Sequence, residues 1–369
     1  MKQVKKNLLL FFMSLTCFTS ALAYEHESYY PYFESDGKYY TILSSGQPDY
    51  VEGENRVYLT YGPKEYSGNI VIPSFVSNGG VEYKVVGITF EAFRGCEDLL
   101  SVTFPSDLLA IGVSAFQECT SLQSISIPVE CSVSGLAFKD CTSLKSVTIE
   151  DGENYLPLFD NTFEGCDIES LYLGRNLASY SHIEGSNYPF SNLSSLTSIE
   201  FGPFCSYIYE RQFEGCTALT SLRLTDGIKF IGAYAFKGCN SLANLIIGRD
   251  AKTIGKEAFA ECDNLTNISC RATEVPSAET SAFSQDTYNK ACLEVGKDVV
   301  ELYRNATPWC YFSIIEGTDD VGVGKIALES AVTVFDLNGR CVLRNEDEKK
   351  LNLLSPGVYI VNSRKVILR

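Results

Sequence analysis

The sequence of 369 residues has little histidine, since His26 and His182 are the only two. Imidazole is the commonest metal ligand and the usual general base near neutral pH, so this shortage argues against histidine-based metal sites and catalysis. Basic side chains are also few, with 30 Lys and Arg against 46 Asp and Glu and a formal net charge of −16. Such a charge repels phosphate polyanions, so we expect no nucleic-acid partner.

Long hydrophobic runs are missing after the first two dozen residues. That start has three lysines within residues 1–6, an apolar run over 8–18 and an Ala-Leu-Ala site at 21–23. This order is typical of a secretory signal peptide, and the apolar run is shorter than the roughly 20 residues that a membrane-spanning helix needs. We therefore expect cleavage near Ala23, a secreted or outer-surface location and no integral membrane segment after cleavage.

Recognisable catalytic motifs are missing as well. The sequence contains no His-Glu-x-x-His, no Gly-x-Ser-x-Gly and no dinucleotide-binding fingerprint. The run from Gly322 to Lys325 resembles a phosphate loop only superficially, because Asp319 and Ile326 stand where a glycine and a hydroxyl residue belong. Acidic pairs are frequent, but no spacing singles one out for acid–base work. We expect a protein that is not an enzyme and uses no cofactor.

What the sequence has in quantity is an internal repeat. Between residues 92 and 270, a phenylalanine is followed three residues later by cysteine and then by the pattern Leu-x-x-Leu-x-Leu or a close variant. Apolar residues at alternating positions predict a strand with one buried face. The anchoring phenylalanines recur every 22 to 27 residues, at Phe93, Phe116, Phe138, Phe163, Phe190, Phe213, Phe236, Phe259 and Phe283.

A unit of this size cannot bury its apolar face alone. Neighbouring units must therefore stack with their strands parallel and about 4.8 Å apart. The expected fold class is a right-handed solenoid of parallel strands with repeats of about 23 residues, about nine coils, and short turns rather than helices between strands.

The recurring string AFxxCxSLxSIxIP, with SIGxxAF between units, resembles the BspA-like class of bacterial leucine-rich repeats. The resemblance covers residues 70–316, including an entry segment with Ile70 and Ile72 and a closing segment with Trp309 and Phe312. It implies a leucine-rich repeat solenoid in a secreted or surface protein that takes part in adhesion and host-protein binding.

Residues 24–69 precede the repeats and contain alternating runs at 39–43 and 57–61. These runs predict a small antiparallel β cap that covers the first coil, as a solenoid end must be covered. Alternatively, aromatic residues of the cap form a glycan-binding face, whose members would be Tyr29, Tyr30, Tyr32 and Phe33.

The C-terminal segment carries the strings FDLNGR and PGVYIV and resembles the sorting domain of type IX secretion substrates, a small β-sandwich. Asn338-Gly339 predicts a type I′ hairpin between two of its strands. The Asn-Pro element usual upstream is replaced by GVGKIALES, so a plain β cap or an anchoring remnant is the alternative. The expected segments are a signal peptide, an N-terminal cap, a solenoid with its closing unit and a C-terminal tail, over 1–23, 24–69, 70–316 and 317–369.

Fourteen cysteines require an explanation in a secreted chain, where disulfides are common. Cys17 belongs to the signal peptide, and Leu193 replaces cysteine in the fifth unit. We expect buried free thiols at the repeat position, because cysteine packs as a small hydrophobe and paired zinc ligands such as C-x-x-C are missing. The residues of this column are Cys96, Cys119, Cys141, Cys166, Cys216, Cys239 and Cys262.

Six cysteines lie outside the column and leave disulfide bridges as an alternative. Their pairing does not follow from the sequence. The three near the last coil, Cys270, Cys292 and Cys310, are the expected bridge formers, and the other three are Cys131, Cys205 and Cys341.

The strand face opposite the buried leucines presents two outward columns. One is a uniform ladder of Ser and Asn, which we interpret as packing between close coils. The other is small and polar except in its middle, where Tyr172, Glu200, Arg223 and Ile246 occur. Protein interfaces favour tyrosine and arginine anchors, so these four residues are the candidate contact surface, with ordinary surface variation as the alternative.

Charge is uneven along the chain, with a net −7 over residues 140–169 and +4 over 211–256. A solenoid keeps sequence order in space, so the second stretch predicts a basic band that attracts an acidic protein or an anionic glycan. A solvated surface without a function is the alternative interpretation.

Together these features predict a monomeric protein that binds a host extracellular or bacterial surface protein through its strand face. The alternative is a glycan-binding or glycan-processing accessory protein that uses the aromatic residues of the cap. A third hypothesis is an envelope spacer that binds nothing saturably.

Thiol titration with a chromogenic disulfide tests the interpretation of the cysteine column. Denatured protein that has never been reduced should show at least seven free thiols per chain, one for each cysteine of the column. Native protein should react far more slowly, because buried thiols are protonated and inaccessible. A denatured count below seven would mean that bridges form within the column.

Overall fold

The computed structural model describes residues 32–159, 161–179 and 188–318, together with four tail strands between 331 and 368. In residues 68–318, each repeat forms a coil with a longer strand on one side and, in most coils, a short strand on another. Strands of neighbouring coils pair in parallel. The parallel-stranded repeat solenoid predicted from the sequence is confirmed.

Five strands lie at the N-terminal end: β1 (Tyr32–Ser35), β2 (Lys38–Ile42), β3 (Arg56–Thr60), β5 (Phe75–Asn78) and β6 (Val81–Ile88). β1, β2 and β3 pair antiparallel in that order, so the two alternating runs of this region do pair with each other. β3 then pairs in parallel with β6, which also forms a hairpin with β5. The cap thereby extends one side of the solenoid.

The longer strand of each coil belongs to what we call the main strand row. Its members are β4 (Gly68–Val71), β7 (Leu99–Thr103), β9 (Ser124–Ile127), β11 (Ser146–Ile149), β13 (Ser170–Arg175), β15 (Ser198–Phe204), β17 (Ser221–Arg223), β19 (Asn244–Ile247), β21 (Asn267–Cys270), β23 (Cys292–Gly296) and β24 (Ile314–Thr318). They pair in parallel in three groups: β4 with β7, the four from β9 to β15, and the five from β17 to β24.

A second side of the coils carries the short strand row. Its members are β8 (Ala110–Ile111), β10 (Ser132–Val133), β12 (Leu156–Leu158), β14 (Leu177–Ser179), β16 (Tyr207–Ile208), β18 (Phe230–Ile231), β20 (Thr253–Ile254) and β22 (Ser277–Ala278). β6 pairs with β8 and so joins the cap to this row. The Ile-Gly pairs that end many of these strands allow close approach, since a Cβ on Gly232 would come within 2.5 Å of the backbone nitrogen of Glu210 in the preceding coil.

The last coils close with two short helices, α1 (Gln285–Lys290) and α2 (Val300–Arg304), and a 3₁₀ turn at Trp309–Tyr311. The tail contains β25 (Ala331–Asp336), β26 (Cys341–Asp347), β27 (Gly357–Val361) and β28 (Arg364–Leu368). These four strands form one antiparallel sheet in the order β26-β25-β27-β28. The strands flanking Asn338-Gly339 therefore pair antiparallel as predicted, while the turn itself lies outside the described residues.

A column of phenylalanine rings forms the centre of the solenoid. Consecutive rings from Phe93 to Phe283 lie 4.7 to 6.1 Å apart with interplanar angles of 4 to 21°. Tyr66 continues the stack at the N-terminal end, 4.6 Å from Phe93. At the other end Phe283 meets Trp309 and Phe312. The stack thus runs through every coil and is covered by aromatic rings at both ends.

The cysteine column lies beside these rings and is buried. Six of the seven thiols, from Cys119 onward, donate to a carbonyl of the coil before them; Cys119 Sγ donates to Phe93 and Cys141 Sγ to Phe116, both at 3.0 Å. Burial raises the pKa of the Cys216 thiol to about 12, which keeps it protonated. The predicted buried free thiols are therefore confirmed, and their hydrogen bonds give a reason for cysteine rather than alanine here.

The alternative of disulfide bridges is not seen among the described residues. No disulfide joins any of the twelve cysteines whose side chains are described, Cys270, Cys292 and Cys310 included. Cys270 lies instead 3.2 Å from the hydroxyl of Tyr303, inside the closing unit. Cys17 lies outside the described residues, as does the side chain of Cys341.

The turn after each repeat phenylalanine needs a residue in the left-handed conformation two positions after that phenylalanine. Gly238 takes this conformation with φ of 74°, and Glu118 occupies the equivalent position with φ of 63°. A residue with a Cβ is disfavoured there by about 1–2 kcal/mol, which explains why glycine, asparagine and aspartate recur at this position.

Replacing Glu118 by glycine should therefore stabilise the protein. We expect Glu118→Gly to raise the free energy of unfolding by about 0.5–1 kcal/mol, because relief of backbone strain exceeds the added entropy of the unfolded chain. The control is Gln117→Gly, whose backbone has no positive φ and which should lower stability by a similar amount. Urea denaturation curves measure both, and a Glu118→Gly variant less stable than wild type would contradict the argument.

Candidate functional site

The exposed side of the main strand row carries the candidate contact residues. In-register pairing turns equivalent positions of neighbouring strands into columns, with Tyr172 opposite Glu200 and Arg223 opposite Ile246. The four residues belong to one column, although β15 and β17, which carry Glu200 and Arg223, fall in separate hydrogen-bonded groups.

The neighbouring column of Ser and Asn is a bonded ladder between coils. Ser170 Oγ donates to Ser146 Oγ at 3.1 Å, and Asn267 Nδ2 donates to Asn244 Oδ1 at 2.9 Å. These contacts agree with the packing interpretation, because side chains that bond along the column have few groups left for a ligand.

Tyr172 is held in place by the preceding coil. Its hydroxyl donates to Asp151 Oδ1 at 2.7 Å. The hydroxyl also lies over Gly202, where an added Cβ would come within 2.8 Å of it. Because both neighbours fix the ring, the tyrosine presents a defined surface rather than a mobile one.

A half-buried carboxylate lies in the same region. Glu150 follows β11 and accepts a hydrogen bond from Ser126 Oγ at 3.2 Å. Burial raises the pKa of the Glu150 carboxyl above its usual value, and the nearby Arg175 guanidinium only partly opposes this. Lys145 pairs with Asp167 at 3.4 Å on the edge of the same acidic region.

Arg223 projects from β17 and is exposed. Among the described residues, no carboxylate oxygen lies within 4.0 Å of its guanidinium. The Arg223 guanidinium can therefore bind a partner directly, whereas the paired bases of this chain would first have to leave their own carboxylates.

Ile246 was expected on the contact surface, and this expectation was wrong. The residue is 2% exposed. It lies in register between Arg223, which is exposed, and Ser269, which is buried as well. Alternation along the strand fixes the direction of the side chain but not what covers it.

The predicted basic band is neutralised only in part by acids from neighbouring coils. Lys237 pairs with Glu257 at 2.8 Å and Glu261 at 3.2 Å, and Lys252 pairs with Glu274 at 2.7 Å. These three glutamates lie outside residues 211–256 and were not counted in that stretch. A charge sum over a sequence window misses partners one coil away.

The two described members of the predicted aromatic face in the N-terminal cap, Tyr32 and Phe33, do not share one exposed face. Tyr32 is 55% exposed, but Phe33 packs into the core against Tyr40 and Tyr83. Tyr29 and Tyr30 lie outside the described residues.

Two features were missed by the sequence reasoning. Arg175 is 1% exposed, and its Nη2 donates to the carbonyl of Pro128 at 2.8 Å. The acceptor is 47 positions away, so no local pattern indicates the contact. On the short row, Tyr207 stacks on Phe230 at 4.4 Å, and comparing positions 23 residues apart would have found this pair.

Neither a metal site nor a membrane span is found in the part of the chain that the structure describes. No three His, Cys, Asp or Glu side chains come together there in a way that could hold a metal ion. None of the helices described is long and apolar enough to cross a membrane.

Comparison with protein families gives one match that covers well over half of the chain. The BspA type leucine rich repeat region matches in six copies over residues 76–182 and 183–312. None of the curated proteins matches the sequence.

Several solved structures with a similar fold are leucine-rich repeat proteins of low sequence identity. One from Bacteroides ovatus is 20% identical, covers 72% of this chain and 71% of its own, and has a TM-score of 0.43. A leucine rich cell surface protein from Faecalibacterium prausnitzii is 18% identical with coverage of 80% and 97% and a TM-score of 0.28. A leucine rich repeat protein from T. pallidum is 23% identical, with coverage of 60% and 78% and a TM-score of 0.27.

The half-buried Glu150 predicts a pH dependence of stability. Above the usual glutamate pKa, and below the raised pKa of Glu150, the folded protein holds a proton that the unfolded chain has lost. Stability should therefore fall as pH rises through this window, and Glu150→Gln should remove that fall while keeping the acceptor for Ser126. Denaturation curves between pH 4 and 8 measure the difference.

Glu153→Gln removes an exposed carboxylate from the same loop and serves as the control. A Glu150→Gln variant that loses stability at pH 7 more than this control does would contradict the argument.

Proposed function

Because the chain belongs to the BspA-type leucine-rich repeat family, we propose that it acts at the cell surface or after secretion and binds a macromolecular partner without catalysis. The proposed contact surface is the exposed side of the main strand row around Tyr172, Glu200 and Arg223. The partner is proposed to be a protein on host extracellular or bacterial surfaces.

One observation carries this proposal. The outward column of the main strand row is small and polar in β9 and β11, with Ser126 and Thr148, and changes to Tyr172, Glu200 and Arg223 in the next coils. Large side chains of the types favoured at interfaces thus stand on a regular backbone, where the fold does not require them.

The flanking segments fit the same role. We propose that residues 24–69 protect the first coil, and that residues 317–369 serve export or attachment, for which the resemblance to a sorting domain is the support. The glycan-binding alternative has less support, because Phe33 packs in the core rather than on an aromatic face.

The experiment is affinity capture followed by a direct binding measurement. Immobilised protein that begins at residue 24 is exposed to host extracellular and bacterial-surface extracts, and the captured protein is purified and titrated by surface plasmon resonance. The double variant Tyr172→Ala with Glu200→Ala should weaken binding at least ten-fold, which corresponds to about 1.4 kcal/mol.

Lys139→Ala with Glu164→Ala is the matched control, because it removes an ion pair of 3.0 Å between two coils at the turns. Both variants should keep the thermal midpoint of wild type to within a few degrees. Equal loss of binding in both would place the contact elsewhere, and turnover of a polysaccharide or peptide panel would contradict the absence of catalysis.

A further inference from the structure

Three arginines lie toward the same end of the main strand row. Arg223, Arg249 and Arg271 belong to three consecutive coils, at or just beyond the C-terminal ends of β17, β19 and β21. Asp226 links two of them, since its Oδ1 accepts from the backbone N–H of Arg249 at 3.1 Å and from Arg271 Nη1 at 3.2 Å.

The close approach of these coils is visible at Gly248, which precedes Arg249. A Cβ on Gly248 would lie 2.3 Å from the carbonyl oxygen of Thr225 and 2.8 Å from the Cα of Asp226. Only a glycine lets β19 pass this close to the loop after β17, and that contact brings Arg249 beside the segment that carries Arg223 and Asp226.

The charges of this group do not cancel. Asp226 pairs with Arg271, whose side chain is 17% exposed. Arg223 and Arg249 are both exposed, and within the described residues neither has a carboxylate oxygen within 4.0 Å. Two exposed guanidinium groups without a carboxylate partner are a local source of positive charge in a protein whose net charge is −16.

We propose that Arg223, Arg249 and Arg271 bind the carboxylates of an acidic segment of a polypeptide partner. This proposal rests on the proposed function and specifies the charge of the partner at one end of the contact surface. Guanidinium groups match carboxylates with two parallel hydrogen bonds, and arginine is the usual residue for this recognition.

The surrounding charges favour a polypeptide over a sulfated glycan. Glu294 lies opposite Ser269 in the next strand, and Glu316 lies opposite Glu294 in the strand after that. Glu200 occupies the same column in the coil before Arg223. A continuous polyanion would meet these carboxylates on both sides, whereas a polypeptide can place one or two acidic side chains between neutral or basic ones.

The test uses a fluorescein-labelled hexaglutamate peptide and fluorescence anisotropy with the full-length mature protein. Binding should weaken as salt is raised, because the contact is exposed and charged. The double variant Arg223→Gln with Arg249→Gln should lower the affinity about 25-fold, about five-fold for each arginine.

The matched control is Lys139→Gln with Lys252→Gln, which removes the same charge from bases that pair with Glu164 and Glu274 outside this surface. It should change the affinity less than two-fold. Similar losses in the two double variants would overturn the proposal, because binding would then follow overall charge, and no measurable peptide binding would overturn it as well.

A heparin-derived hexasaccharide provides the second probe. If it binds more tightly than hexaglutamate and loses affinity in the arginine variant, the surface takes a sulfated glycan and the proposal is wrong. A protein partner that is still weakened by the Tyr172 and Glu200 variants would support the proposed function even if the arginine site fails.

Discussion

The stack of phenylalanine rings is the constraint on which the rest of this protein depends. One ring per coil, 4.7 to 6.1 Å from the next, sets the distance at which neighbouring coils can lie. That distance suits parallel strands, which need about 4.8 Å, so stacking and hydrogen bonding favour the same spacing. This close spacing is accommodated by the buried thiols, by the left-handed turn residues and by the glycines that end the short strands.

The outward side chains are free of that constraint. A side chain on the exposed side of the main strand row touches only its neighbours in adjacent coils, so its identity can change without disturbing the ring stack. Where such a side chain is fixed, as Tyr172 is by Asp151 and Gly202, the surface is ordered before a partner arrives. Binding then costs less conformational entropy than it would at a mobile loop.

The sequence predicted the features that repeat and missed those that do not. The period, the ring column, the buried thiols and the shared column of Tyr172 and Glu200 all follow from alternation and spacing. The burial of Ile246 does not, because alternation along a strand predicts which way a side chain points but not whether other residues bury it. The contact between Arg271 and Asp226 was also hidden, since the two residues are 45 positions apart and belong to coils with one other coil between them.

Several irregularities coincide near the middle of the solenoid. The pairing of β13 with β15 shifts register between Leu173 and Arg175, β15 and β17 fall in separate sheets, and the rings of Phe190 and Phe213 have the widest spacing of the stack, 6.1 Å. Leu193 also has no thiol to donate to the coil before it. Each coil contacts only its neighbours, so a force that pulls the two ends of the solenoid apart would first separate the coils at this site. The coils on either side would keep their structure, and the protein would extend at this one position.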